Sequence, residues 1–192
     1  MKRLTQFIEK NISGKKVLGL FILTNLVYTF MLTVTIPKTM EFSNGMKLLD
    51  MMPTGYDLDY VSKLFISLGE NGRLTYLTNQ IPVDMIYPLL FGLSYSLILG
   101  YFLKKLNKLN SPYSFFSLLA IVAGIADYLE NFGIVTMLKN YPEIKETTVY
   151  ATNIFSVTKS FSTSIFFLIL IILLIVLAVN VLRSKMKQSK QN

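Results

Sequence analysis

The sequence predicts an all-α integral membrane protein: a four-helix bundle with both termini in the cytoplasm and an amphipathic helix in the external loop between spans one and two. Three observations predict it. The 192 residues are 52% hydrophobic and only 16% charged, with a mean hydropathy of +0.49, a composition outside the usual soluble range. Four apolar stretches, about 17–36, 81–103, 113–138 and 151–182, reach the ~20 residues a bilayer requires. The basic residues are also segregated along the chain.

That segregation fixes the expected orientation. The first 16 residues hold five Lys/Arg and one acid, "KKLNKLN" holds three Lys, and "RSKMKQSKQN" holds four basic residues and no acid. Four spans bring these three segments to one side. The opposite side, 37–80 with 139–150, holds six basic and seven acidic residues. The positive-inside rule makes the basic side cytoplasmic. The net charge of +8 is then a topology signal, and nucleic acid is not an expected partner. Residues 1–192 read as a single membrane domain in the cell membrane.

Taken in order, the first span is expected to be a retained signal anchor. Its apolar run is too long for an ordinary signal peptide, and "TIPKTMEF" offers no small-residue cleavage site. The external segment that follows is too long for a plain loop. Its second part, about 54–80, places Leu58, Val61, Phe65 and Leu68 on one stripe, with Leu64 beside it. Thr54 with Asp57 resembles a capping box, and "GENG" at 69–72 interrupts the helix. This segment is expected to lie in the outer interface or to cover the bundle. In span two, Pro82 fits a helix start and Pro88 a kink. A short basic loop makes spans two and three antiparallel neighbours.

Span three carries the feature of most interest, "GIADYLENFGI". At 100° per residue, Asp127, Glu130 and Asn131 share a face with Ala120, Ala123 and Gly124. Leu118, Val122, Ile125, Leu129 and Phe132 occupy the opposite face. Carboxylates facing lipid are costly, so the polar stripe should point into the bundle. Span four offers Thr152, Ser156, Lys159 and Thr163. Span two offers Asp84, Tyr87, Phe91 and Tyr95, and span one offers Asn25, Tyr28 and Thr29 more weakly. At ~1.5 Å per residue, Glu130 and Lys159 come to the same depth. They are the expected ion pair. Asp84 and Asp127 are left without an intramembrane cation; Asp84 is shallow enough to meet water or Arg73, whereas Asp127 must be protonated, hydrated within a cavity or paired with a bound cation.

The chain has no Cys and no His. Disulfide, thiol and Ser–His chemistry are excluded, as are the usual zinc, haem and copper ligand sets. No metal and no cofactor is expected, and no catalytic residue can be assigned. The candidate ligand or proton-relay residues are Asp84, Asp127, Glu130, Asn131, Lys159, Tyr87 and Tyr95. Glu70 and Arg73 are the candidate pocket rim. The expected function is an outward-facing polar pocket binding a small molecule, lipid or ion, with proton linkage as a variant. Two alternatives use the same residues: an acid/base enzyme acting on a lipid-like substrate, and an accessory subunit whose polar stripe joins helices. The bilayer is the first partner, and a second copy or another membrane protein are further candidates.

Overall fold

Among the described residues four helices are long and apolar enough to cross a membrane, and their outward faces explain why they need an apolar surround. The computed structural model describes residues 2–189, which are helical for most of their length. α1 is Lys2–Asn11, α2 is Gly14–Met40, α3 is Leu58–Thr75, α4 is Tyr87–Lys105, α5 is Ser117–Asn140 and α6 is Glu146–Ser189. Leu18, Ile22 and Leu26 on α2 are exposed, as are Leu168, Ile171, Ile172 and Ile175 on α6. Only 11% of the most apolar window of α6 is buried, so its Ile/Leu surface is not core in the soluble sense.

α5 is the central helix, packed on α4 to one side and on α6 to the other, while α4 also packs on α2. Small residues permit this. A Cβ on Gly124 would lie 2.7 Å from the carbonyl oxygen of Pro88, and one on Gly92 would lie 3.4 Å from that of Ala120. The α4 and α5 backbones therefore touch across a glycine seam, as small residues allow in membrane helices. Gly124→Ala is expected to cost about 1–3 kcal/mol through overpacking against backbone that cannot yield. Equilibrium unfolding in maltoside micelles checks this, and a neutral result would show the seam to be loose.

α3 is not a loop element set apart from the second span. It runs into it: Leu58–Lys105 is one 48-residue helical stretch, ~72 Å long if straight, more than twice a bilayer core. It bends at two places. Gly69 adopts φ 61°, ψ −172°, which glycine tolerates, and the chain turns again at Met85–Ile86 before Pro88. The stripe of α3 is buried, with Val61, Leu64 and Phe65 at 0% exposure. It joins Ile134, Met137 and Leu138 of α5 and Val149 of α6 in one apolar cluster. The helix starts later than its sequence suggests, because the side chain of Asp57, rather than Thr54, accepts the capping bond from Tyr60 N–H at 2.8 Å.

A second cluster forms at the other end of the bundle. There α1, which the charged tail did not announce, lays Ile8 against Gly100 with Leu99 and Leu103 close by. Along α5 the order is Ala120 and Ala123 in this second cluster, then Asp127, Glu130 and Asn131, then Ile134 and Met137 in the first. α6 repeats the order in reverse, with Val149, then Ser156 and Lys159, then Phe166. A polar layer thus lies between two apolar clusters.

Two π-helical turns shape the polar layer. Met31–Thr35 precedes Pro37, and Tyr76–Gln80 precedes Pro82. Neither proline has an N–H for the carbonyl four residues back. The ladder widens instead, with Ile36 N–H bonding Met31 O and Ile81 N–H bonding Tyr76 O. Such turns recur at functional sites, and these two turn Thr35, Tyr76 and Gln80 inward.

Candidate functional site

The centre of the polar layer is Lys159. Its ammonium contacts Glu130 Oε2, lies 3.2 Å from Asp127 Oδ1, and donates to the backbone carbonyl of Asp50 at 3.4 Å. Sequence reasoning paired Lys159 with Glu130, left Asp84 to water or Arg73, and left Asp127 unmatched. The structure corrects the last of these, because one lysine head sits between residues i and i+3 of α5 and meets both. Glu130 is fully buried and the Asp127 side chain is 8% exposed. Of the three acids expected at the site, the one left without a cation is Asp84, since Arg73 turns to Phe65 O and Tyr141. Asp84 is 3% exposed and has no salt bridge among the described residues.

Asp50 joins the site from the segment between α2 and α3. Its Oδ1 accepts from Tyr76 Oη at 2.7 Å and its Oδ2 from Gln80 Nε2 at 2.9 Å, while Thr35 Oγ1 donates to Gln80 Oε1. The two π turns therefore meet through Gln80 and hold the Asp50 carboxylate. Sequence reasoning missed Asp50, Tyr76, Gln80 and Thr35.

One stripe of α6 fastens that segment over the site. Asn153 Oδ1 accepts from Tyr56 N–H at 2.9 Å, Ser156 Oγ donates to Met52 O at 3.3 Å, and Lys159 reaches Asp50 O. Positions 153, 156 and 159 lie on one helix face. Tyr56 Oη is buried and has no hydrogen-bond partner among the described residues. Burial, reinforced by the nearby Glu130 carboxylate, pushes this phenol well above its ordinary pKa, so it remains neutral.

Asn131 has a structural task. Asp84 O would accept from the N–H of residue 88, but Pro88 has none. Asn131 Nδ2 donates to that carbonyl at 3.2 Å, so the side chain repairs the break ahead of α4.

Between these groups lies a cavity of ≈ 430 Å³. Asp84, Tyr87 and Phe91 form its floor, Ala123 and Asp127 its back, and Asp50, Met51 and Pro53 its cover. Tyr28, Met31, Leu32 and Ile36 of α2 form one wall, with Lys159, Ser160, Thr163 and Ser164 of α6 opposite. Of the residues expected at the site, Asp84, Asp127, Lys159 and Tyr87 line this cavity. Glu130 lies behind Lys159, and Tyr95 lines a different cavity. Glu70 and Arg73 are not on the rim. Arg73 donates to Phe65 O at 2.7 Å and lies 4.1 Å over the Tyr141 ring, closing the bend at Gly69 instead.

The wall rings are ordered: Tyr28 stacks on Tyr87 at 5.3 Å, and Phe91 follows Tyr87 at 5.8 Å. Counting Asp50, Asp84, Asp127 and Glu130 against Lys159, formal acid exceeds base by three. With Asp84, Asp127 and Glu130 buried and Asp50 half-buried, acid excess of this kind needs a proton or a cation. Asp50, Asp84 and Asp127 line the cavity, with Glu130 behind Lys159, and the acids do not converge: among the described residues no three His, Cys, Asp or Glu side chains are placed to hold a metal ion.

The fold and site together define a class, an all-helical chain with four helices long and apolar enough to cross a membrane, gathered around a cleft lined by buried carboxylates. Compared with protein-family models, with curated proteins and with solved structures, the chain matches none of them.

Proposed function

We propose that this chain is a four-span protein of the cell membrane, with both termini cytoplasmic, whose outward-facing cleft binds a positively charged organic molecule. The observation that carries this reading is the acid excess around one cavity: Asp84 without a cation, Asp50 satisfied by neutral donors, and a single lysine shared by Asp127 and Glu130. Dispersed carboxylates around ≈ 430 Å³ suit a cation of diffuse charge better than a chelated metal ion, and the faces of Tyr28, Tyr87 and Phe91 add cation–π attraction. The basic tail segments favour the orientation. In that orientation the Leu58–Leu68 part of α3 covers the outer end of the bundle.

The test uses the full chain in uncharged maltoside micelles with tetramethylammonium as probe. A ligand that binds only the folded state stabilises it by about 2.7 kcal/mol at a hundred times its Kd. Tetramethylammonium should raise the unfolding temperature of the wild type. Asp84→Asn should fold as stably as wild type or more so, since a buried unpaired acid is removed, and should lose about tenfold or more of the probe's affinity. No response in the wild type, or an equal response in Asp84→Asn, would remove the cationic reading.

A further inference from the structure

α2 and α6 do not pack extensively on each other, and the gap between them holds more than the polar cavity. Farther along the same gap lies a second cavity, of ≈ 530 Å³, walled by Leu18 and Phe21 of α2 and by Leu170 and Leu174 of α6. Its lining is apolar apart from the hydroxyls of Tyr95 and Tyr101. The floor of both cavities is one stripe of α4: Tyr87 and Phe91 under the first, Tyr95 and Ile98 under the second. Their rings are continuous, with Phe91 and Tyr95 centroids 4.7 Å apart.

The α6 wall changes character along this line. Lys159, Ser160, Thr163 and Ser164 face the charged cavity, and the helix is purely apolar from Ile165 to Val179. From Ser160 to Leu174 the distance is ~21 Å. The outer edges are open, with Leu18 57%, Tyr28 41% and Leu32 45% exposed. In the membrane these edges face lipid chains.

We infer that the ligand is a single-chain cationic amphiphile, a long-chain amine or alkylammonium, that slides in from the bilayer between α2 and α6. Its head lies among Asp50, Asp84 and Asp127, and its aliphatic tail lies along the α4 stripe against Leu18 and Leu174. Charge complementarity selects the head, because an anionic or neutral head leaves the acid excess uncompensated. The apolar continuation of the groove selects the tail. The inference rests on the cationic reading of the polar cavity and adds the tail site and the lateral route.

The experiment compares dodecyltrimethylammonium with tetramethylammonium, titrated into the full chain in maltoside micelles. The wild type should bind the dodecyl probe at least about tenfold more tightly. Leu18→Trp and Leu174→Trp fill the groove from exposed positions that tolerate a larger side chain. Each should cut the affinity for the dodecyl probe about tenfold and leave that for tetramethylammonium unchanged. Equal affinities for the two probes, or a chain-length gain that both tryptophans leave intact, would overturn the tail site while the cationic pocket stands. Failure of tetramethylammonium itself to bind would sink the pocket and this inference together.

Discussion

Lys159→Met is expected to destabilise the fold by about 3–5 kcal/mol, the cost of leaving buried charges without their partner. The variant keeps the volume of the stem but removes the only cation among the described residues that pairs with Glu130 and Asp127, both almost fully sequestered. It also releases the carbonyl of Asp50, which Lys159 holds at 3.4 Å, so the cover of the cavity should loosen with the core. Glu130→Gln alone should cost less, since Asp127 still neutralises the ammonium. The informative variant is the triple change Asp127→Asn, Glu130→Gln, Lys159→Met. Replacing a whole buried ionic cluster by neutral groups of similar volume is often near neutral, so the triple should recover to within about 1 kcal/mol of wild type. Unfolding in maltoside micelles reads each step. A Lys159→Met variant as stable as wild type would mean the three charges are not a structural unit.

That cluster also shows what helical arithmetic reaches. The inward face of α5 follows from spacing alone: Asp127, Glu130 and Asn131 are buried with Ala120 and Ala123, while Ile125 and Phe132 are exposed. The level of Lys159 with Glu130 follows from rise per residue. Depth along straight rods does not say where a flexible four-carbon stem ends, and the ammonium came to rest between two acids one turn apart. The burial of Asn131 was legible from the same spacing, but its task was not: it was expected as a ligand candidate, and the structure has it donating to the carbonyl of Asp84. Pro88 deprives the carbonyl of residue 84 of its donor, and a buried amide on the facing helix is the natural repair.

Asp50 was beyond this reach because nothing periodic surrounds it. Its place depends on Tyr76 and Gln80, which a π turn brings inward, and on Thr35 in a second π turn. A local signal does exist: "TIP" at 35–37 and "QIP" at 80–82 repeat a polar residue, an isoleucine and a proline within long helices. Prolines there remove a ladder bond, and the polar residue before each pair is where the widened turn faces the partner helix. α1 was obscured by charge. Leu4, Ile8 and Ile12 recur every four residues, but the five basic residues around them read as a solvated tail.

Gly55→Ala is expected to be the costliest change outside the charged cluster, about 2–5 kcal/mol from two terms. Gly55 adopts φ +87°, a conformation that costs an alanine about 1–2 kcal/mol. A Cβ there would also fall 1.9 Å from Asn153 Oδ1, the atom that accepts from Tyr56 N–H. Breaking that bond strands a part-buried donor, at about 1–3 kcal/mol. The damage should spread along the fastened segment rather than through the bundle. Amide exchange at Asp50–Tyr56 should accelerate while that of α5 between Ala120 and Asn131 holds. The two terms separate in a cycle with Asn153→Ala, which removes both the obstacle and the acceptor. If the segment is fastened through Asn153, the double variant costs less than the sum of the singles, by the share of the lost hydrogen bond. Strict additivity would instead assign the whole effect to the backbone of Gly55, and the cover over Asp84 would owe nothing to α6 at that position.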